Sequence, residues 1–290
     1  MATWQAAFLG LLQGATELFP VSSLGHAVVI PTLAHWIFKQ SDPSFLPFLV
    51  LLHLGTAAAL LVLYWSDWVM ITRGFVTAGV RGRIREPHER MAMLLVVGTV
   101  PAGLVGFVLQ KPLRALFASP RTAALFLIVN GILLLGAEVL RRRAERRPGQ
   151  SKLSDSRGAA EEDAFAEVEA LSFRAAALVG LCQALALLPG ISRSGVTMAG
   201  GLLAGLRHQE AARFSFLLAT PIIAAAGVLE VPELLTPGVP LAKYALGAFL
   251  AALAAYASAR FLIRYFRSGR LDPYGYYCLA AGVLALLLLG

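Results

Sequence analysis

The sequence predicts an all-α integral membrane protein, and three observations support that fold class. Of the 290 residues, 58% are hydrophobic and 14% are charged, whereas an ordinary soluble domain carries roughly 25% charged residues. The apolar residues are gathered in runs long enough to cross the hydrocarbon core of a bilayer, which takes about 20 residues of helix. The basic residues lie in the loops between these runs, as is typical of membrane proteins.

Six apolar runs each predict one transmembrane helix. They cover residues 45–65, 91–110, 121–140, 214–231, 241–263 and 273–290. A soluble protein would need amphipathic helices to cover this much apolar surface, and only the stretch 141–171 is polar. We therefore expect one membrane domain that comprises residues 1–290.

The distribution of charge predicts the orientation of the chain in the membrane. The net charge of +8 does not indicate nucleic-acid binding, because the bases lie where the positive-inside rule places them. They mark the loop 66–90, the stretch 141–171 and the loop 264–270 as cytoplasmic, and counting crossings puts 111–120 and the base-free loop 232–240 outside. No Lys or Arg precedes Lys39, so we expect no cleavable secretory signal.

The polar stretch 141–171 divides the chain into two predicted halves, 1–140 and 172–290. It contains three consecutive arginines, a Pro-Gly pair and clusters of Ser and Glu, which are typical of a solvated linker. A regulatory or partner-binding surface is the less favoured alternative. Both cysteines, Cys182 and Cys278, lie in apolar segments, which favours buried thiols over a disulfide or a metal site.

Two further segments, 1–38 and 175–206, are too long for one straight crossing. At about 1.5 Å per residue, each would run 45 Å or more as a helix, against a hydrocarbon core of about 30 Å. Each is interrupted near its middle by Pro and Gly. We therefore expect two re-entrant helical hairpins, which enter from opposite sides of the membrane and meet at their tips.

The two segments also align with each other at an offset of 170 residues. The aligned pairs are Gly10 with Gly180, Gln13 with Gln183, Val21 with Ile191, Ser22 with Ser192, and Gly25 with Gly195. This pattern indicates an internal duplication, and opposite entry makes it an inverted repeat, a plan known from transporters. The architecture alone leaves an enzyme and a transporter open.

One carboxylate and one guanidinium stand out in these apolar segments. Glu17 and Arg193 are their single formal charges, and such residues usually pair with each other or serve a site. A salt bridge that only joins the two halves is one interpretation. Gln13 lies on the same helix face as Glu17 and is either part of a site or a packing amide. His53, in the middle of a run, either approaches the site or, as the favoured interpretation, is a packed, hydrogen-bonded core histidine.

The breaks in the two segments predict an anion site. Ser22 or Ser23, and Ser192 or Ser194, are suited to cap the helix that follows each break. A helix N-terminus offers free N–H groups with a positive partial charge, and Arg193 can bind two phosphate oxygens at once. The expected ligand is a phosphate or a diphosphate, although serines that only cap helices would need no further function.

Two long motifs resemble a known family. Residues 13–26 (QGATELFPVSSLGH) and 189–195 (PGISRSG) are similar to the two signature motifs of the undecaprenyl-diphosphate phosphatases associated with bacitracin resistance. The resemblance covers nearly the whole chain. It implies six spans plus two re-entrant hairpins in the bacterial plasma membrane, with an active site that faces the periplasm or the cell exterior.

The resemblance also implies roles for individual residues. The catalytic residues would be Glu17, Ser23, His26 and Arg193. The substrate-binding residues would be Gln13, Ser22, Ser192, Arg193, Ser194 and Gly195. A divalent cation, Mg²⁺ or Ca²⁺, would be held at Glu17 and Gln13. Because Gln13 stands where the family also carries Glu, one negative charge is missing, and the cation could instead arrive on the diphosphate.

The implied reaction is hydrolysis of undecaprenyl diphosphate to undecaprenyl phosphate and phosphate, which recycles the lipid carrier of peptidoglycan synthesis. The nucleophile remains open between Ser23, His26 and a water molecule activated by His26 with Glu17. The alternative function is a transporter or flippase of polyprenyl phosphate lipids, and a membrane scaffold ranks third. The expected partners are the polyprenyl diphosphate lipid and the membrane, and a homodimer is left open.

Overall fold

The computed structural model describes residues 1–36, 42, 44–117, 119–145, 168–234 and 240–290. These residues form eleven α-helices and no β-strand. In chain order the helices are α1 (Thr3–Leu18), α2 (Ser23–Leu33), α3 (Phe45–Leu63), α4 (Trp65–Arg81), α5 (Pro87–Phe117), α6 (Pro120–Glu145), α7 (Phe173–Leu185), α8 (Arg193–Leu203), α9 (His208–Leu234), α10 (Leu241–Tyr265) and α11 (Asp272–Leu288).

Five of the helices are long and apolar enough to cross a membrane, which confirms the all-α membrane class. The crossing segments are Phe45–Leu63, Pro87–Leu109, Pro120–Ala144, His208–Val228 and Leu241–Tyr265, and each contains most of one predicted run. The sixth predicted run forms α11, an apolar helix of 17 residues. At about 1.5 Å per residue, α11 is somewhat shorter than the hydrocarbon core.

Helix α4 is missing from the sequence prediction, which assigned residues 66–90 to a loop. Its buried residues, Asp67, Ile71, Gly74 and Ala78, recur every three or four positions and so form one narrow helical face. That face packs closely on α5, since a Cβ atom at Gly74 would lie 2.6 Å from the carbonyl oxygen of His88. The segment is amphipathic rather than uniformly apolar, and a search for apolar runs therefore overlooks it.

The predicted linker begins too early, because α6 continues to Glu145. Arg142 forms an ion pair with Asp272 at the start of α11, and an Nη1 atom of Arg141 lies 2.8 Å from Nδ1 of His208 at the start of α9. These contacts stabilise the last turns of α6 as a helix. Residues 146–167 of the predicted linker lie outside the described residues.

The first long segment is broken into α1 and α2, as the sequence predicts. The rings of Trp4 at the start of α1 and Trp36 after the end of α2 have centroids 5.0 Å apart. The chain therefore returns to the level at which it began. Helix α2 has only 11 residues, too few to cross a bilayer.

The second long segment is broken in the same way into α7 and α8. A Cβ atom at Gly200 in α8 would lie 3.4 Å from the Cα atom of Val179 in α7, so the second helix folds back along the first. Of the two free cysteines, Cys278 is buried, which confirms the prediction of a buried thiol, whereas Cys182 is only half-buried.

The two broken segments pack on different helices through equivalent glycines. A Cβ atom at Gly10 would lie 2.2 Å from the carbonyl oxygen of Gly247 in α10. A Cβ atom at Gly180 would lie 2.4 Å from the carbonyl oxygen of Gly98 in α5. Only glycine permits either approach, so the aligned pair Gly10 and Gly180 places α1 against α10 and α7 against α5.

Candidate active site

The site begins at the two helix breaks, where each new helix is capped by a serine as predicted. Ser22 Oγ accepts a hydrogen bond from the backbone N–H of Gly25 at 3.2 Å. Ser192 Oγ accepts one from the backbone N–H of Gly195 at 3.1 Å. Ser22 has a φ of 66°, a left-handed conformation that non-glycine residues adopt mainly where the surroundings enforce it.

The tips of the two hairpins touch each other, which confirms that part of the prediction. A Cβ atom at Gly25 would lie 3.1 Å from the Cα atom of Gly190. The Oγ atom of Ser194 donates to the carbonyl oxygen of Glu17 at 3.1 Å and lies 3.2 Å from that of Phe19. These bonds bring the ends of α1 and α8 together.

Glu17 lies at the centre of the joined tips and is buried. Its Oε2 atom accepts hydrogen bonds from Nε2 of Gln13 at 3.0 Å and from Oγ of Ser23 at 2.5 Å. Its Oε1 atom accepts from Nε and Nη2 of Arg193 at 3.3 and 3.2 Å. The structure thus brings Gln13, Glu17, Ser23 and Arg193 into one cluster.

His53 also belongs to this cluster, and the prediction of a packed core histidine is wrong. Its Nε2 atom lies 3.3 Å from Oε2 of Glu17, and its side chain is 25% exposed to the cavity described below. The sequence places His53 in a predominantly apolar run, where Thr56 is the nearest polar residue and no helix break marks the position. Its pairing with Glu17, which lies 36 positions earlier in the sequence, emerges only when α3 packs beside α1.

The Arg193 side chain is fixed by α9 as well as by Glu17. Its Nη1 atom donates to the carbonyl oxygen of Ser215 at 3.1 Å. The Oγ atom of Ser215 lies 2.5 Å from Oγ1 of Thr197, one turn along α8 from Arg193. The guanidinium is thereby held at the edge of the cluster, where its side chain is 12% exposed.

Asn130 of α6 joins the two breaks and was not singled out by the sequence. Its Nδ2 atom donates to the carbonyl oxygen of Pro20 at 3.0 Å, and its Oδ1 atom accepts from the backbone N–H of Ser192 at 3.0 Å. One amide therefore satisfies a backbone group of each hairpin. The signal in the sequence is a single Asn in the apolar run 121–140. A polar residue in such a run usually has a specific hydrogen-bond partner, but the sequence does not show which one.

A cavity of about 430 Å³ opens from the cluster. Its polar side chains are Glu17, Ser22, Ser23, Asp42, His53, Gln183, Ser192 and Arg193. Its apolar walls are formed by α3, α5, α9 and the second hairpin, with Phe45, Leu46, Leu49, Leu187, Ile222 and Ile223 among the lining residues. A polar end with apolar walls suits a ligand that has an anionic head and a hydrocarbon chain.

Four of the predicted site residues do not line this cavity. Ser194 and Gly195 are engaged in joining and capping the hairpins, and Gln13 lies behind Glu17. His26 is directed to α11: its Nδ1 atom donates to the carbonyl oxygen of Ser22 at 2.7 Å, and its Nε2 atom lies 2.8 Å from the hydroxyl of Tyr277. In this arrangement His26 fixes α2 against α11.

The residues predicted to hold a divalent cation do not fit that role. Both carboxylate oxygens of Glu17 already accept hydrogen bonds, and Gln13 presents its amide nitrogen to Glu17. The Oε1 atom of Gln13 is buried without a hydrogen-bond partner in the described part of the chain. Among the described residues, no group of three or more His, Cys, Asp or Glu side chains could hold a metal ion.

Comparison with known proteins gives a consistent assignment. The family model described as bacitracin resistance protein BacA matches residues 6–284. An undecaprenyl-diphosphatase 2 of Chromobacterium violaceum is 47% identical, over 98% of this chain and 97% of the relative. An undecaprenyl-diphosphatase of Granulibacter bethesdensis is 48% identical, over 97% of this chain and 95% of the relative. The chain therefore belongs to the bacitracin resistance protein BacA family.

Proposed function

We propose that this protein hydrolyses undecaprenyl diphosphate to undecaprenyl phosphate and inorganic phosphate. The observation that carries the proposal is the cluster of Glu17, Ser23 and Arg193 at the polar end of an apolar-walled cavity. The diphosphate would enter the cluster while the prenyl chain follows the apolar wall. The names of the similar proteins from two bacteria agree with this substrate.

The cluster supports a reaction in which Ser23 is the nucleophile. Ser23 Oγ forms a bond to the terminal phosphorus, its proton passes to Glu17, and the bond from that phosphorus to the bridging oxygen breaks. The bridging oxygen leaves with undecaprenyl phosphate. Water then cleaves the phosphoserine, transferring one proton to the released phosphate, while Glu17 returns the first proton to Ser23. The guanidinium of Arg193 stabilises the charge on the transferred phosphoryl group.

Ser23 is favoured over His26 because of their positions. Ser23 lines the cavity and already donates to Glu17, whereas both ring nitrogens of His26 are engaged outside it. Glu17 and Gln13 are already bonded to each other, and Glu17 also to Arg193. The cation, Mg²⁺ or Ca²⁺, would therefore enter the site bound to the diphosphate. None of the steps above requires a metal ligand from the chain.

For the membrane arrangement, the proposal is six spans and two re-entrant hairpins, in the bacterial plasma membrane, with the cavity open to the outside. The cavity extends to Asp42 and Phe45 at the start of α3, whereas Arg81 ends α4, the helix that follows the other end of α3, and Arg85 lies between α4 and α5. Basic residues favour the cytoplasmic side. In this orientation the contacting pair Trp4 and Trp36 would lie at the outer membrane–water interface, a level at which Trp is common.

The physiological role that follows is recycling of the lipid carrier of peptidoglycan synthesis, which would confer resistance to bacitracin. A transporter or flippase of polyprenyl phosphate lipids is the second candidate. It is favoured by the equivalent packing of Gly10 on α10 and Gly180 on α5, since duplicated halves with broken helices are a transporter plan.

Release of phosphate from purified protein in detergent tests the proposal. Farnesyl diphosphate and undecaprenyl diphosphate should both yield inorganic phosphate when Mg²⁺ or Ca²⁺ is present. A protein that acts only as a transporter would release none, because transport does not break the phosphoanhydride bond. Ser23→Ala provides the matched control, since it keeps the fold of the tips but removes the proposed nucleophile.

A further inference from the structure

We infer that His53 is a positioning residue of the active site, which donates a hydrogen bond to Glu17 and keeps that carboxylate directed at Ser23. This inference rests on the proposed function, because it gives Glu17 the task of accepting the Ser23 proton. His53 lines the cavity, and its Nε2 atom lies 3.3 Å from Oε2 of Glu17.

The hydrogen-bond partners of the ring identify His53 as a donor at both nitrogens. Its Nδ1 atom lies 2.7 Å from the carbonyl oxygen of Leu49, and a carbonyl oxygen can only accept, so Nδ1 carries a proton. Glu17 Oε2 is likewise an acceptor when the carboxylate is ionised. The ring can donate in both contacts only when both nitrogens carry a proton, and in that form His53 is a second cation beside Glu17.

The internal duplication indicates that the fold itself does not need a polar residue here. At the offset of 170 residues, His53 corresponds to Ile223. Both residues line the cavity, His53 on α3 and Ile223 on α9. The same position in the same fold is thus filled by an apolar residue in the second half.

Packing contacts support this correspondence between α3 and α9. A Cβ atom at Gly247 would lie 2.9 Å from Cδ2 of Leu52 and 3.1 Å from the ring of Phe48, one turn earlier in α3, and a Cβ atom at Gly98 would lie 2.9 Å from Cδ2 of Leu218. Phe48 and Leu218 are also 170 positions apart. Glu17 shows the same asymmetry, because its counterpart Leu187 is an apolar residue of the cavity wall.

Without His53, Oε2 of Glu17 would lose one of its three polar neighbours, and the carboxylate would rotate more easily towards Arg193. The Nε and Nη2 atoms of Arg193 both approach Oε1, and an arginine readily binds both oxygens of one carboxylate. Such a rotation would move Oε2 away from Ser23 and leave the nucleophile without its proton acceptor. The donors on Oε2, including His53, oppose that rotation.

Two substitutions separate the donor role from simple packing. His53→Gln retains an N–H group that can reach Glu17, whereas His53→Leu offers a similar volume without a donor. Thr56→Val is the matched control, because Thr56 is buried one turn further along α3 and bonds only to Leu52 of its own helix. Each variant is purified in detergent and assayed for phosphate release from farnesyl diphosphate, together with its thermal unfolding.

We expect His53→Leu to lower kcat by about 10- to 150-fold, the value of a hydrogen bond to a charged group, with a smaller change in KM. The Gln variant should retain most of the wild-type kcat, and Thr56→Val should match the wild type. A purely structural histidine would give the opposite pattern, since leucine packs well in an apolar run and preserves stability.

Full activity of the Leu variant would overturn the inference, as would a Gln variant as impaired as the Leu variant with unchanged thermal stability. A wild-type protein that releases no phosphate would instead overturn the proposed function. The two failures are therefore distinguished by the wild-type measurement alone.

Discussion

Replacing Asn130 with leucine should loosen the junction of the two hairpins. The amide is fully buried and satisfies the carbonyl oxygen of Pro20 and the N–H group of Ser192, each at 3.0 Å. Leucine can do neither. Ser192 N–H would lose this partner, and Pro20 would keep only the weak thiol donor of Cys278 at 3.8 Å. Each orphaned backbone group costs about 1–3 kcal/mol, so the expected loss of stability is about 2–6 kcal/mol.

Denaturant unfolding of the purified protein in detergent, followed by phosphate release, measures both consequences. Turnover should also fall in the folded Asn130→Leu protein. Ser23 and Arg193 are the first residues of the helices that begin after the two breaks, and Asn130 holds these breaks together. Thr99→Val is the matched control: its hydroxyl bonds to Leu95 within the same helix, and its removal should cost less than about 1 kcal/mol. An Asn130→Leu protein as stable and as active as the control would refute this account of the junction.

Further expectations concern packing and topology. Gly180→Ala should destabilise the protein by about 1–3 kcal/mol or more, because its Cβ atom would meet a backbone oxygen at 2.4 Å. Gly136→Ala is the control: a Cβ atom at Gly136 would have no neighbouring atom within 4 Å, so this substitution should be neutral or stabilise the protein by up to about 1 kcal/mol. Equal unfolding curves for the two variants would contradict the packing argument. A single cysteine at Asp42, in a background without the native cysteines, should react with an impermeant thiol reagent added outside intact cells, whereas one at Arg83 should not. Reversed labelling would overturn the proposed orientation.

The sequence predicts the fold class and both helix breaks because these depend on local composition. Apolar runs determine which segments enter lipid, and each break coincides with a local signal: Pro20, which follows the end of α1, and Gly190, which has a φ of 104°. The same logic fails for α4, whose single buried face lies in a segment of mixed polarity. Local composition also places the end of α6 too early. Arg141 and Arg142 remain helical because they have partners at the starts of α9 and α11.

The site is predicted where polar residues cluster along the chain and is missed where they come from distant segments. Glu17, Ser23 and Arg193 lie beside the breaks, and the structure brings them together. His53 and Asn130 are single polar residues in long apolar runs, so their partners are set by how α3 and α6 pack. His26 belongs to the same motif as Ser23, but the turn of α2 directs its ring towards Tyr277.

The most direct test of the central claim asks whether Glu17 and Arg193 perform chemistry or only neutralise each other. Phosphate release from farnesyl diphosphate is measured for Glu17→Gln, Arg193→Met and the double variant. A matched control is the buried pair Asp67 and Arg213, 2.9 Å apart, replaced together by Asn and Met. A pair that serves only to balance charge should recover function in the double variant, since neither member's charge is then left buried without the other. We expect recovery for the control pair and none for Glu17 and Arg193, and an active Glu17→Gln/Arg193→Met protein would contradict the account.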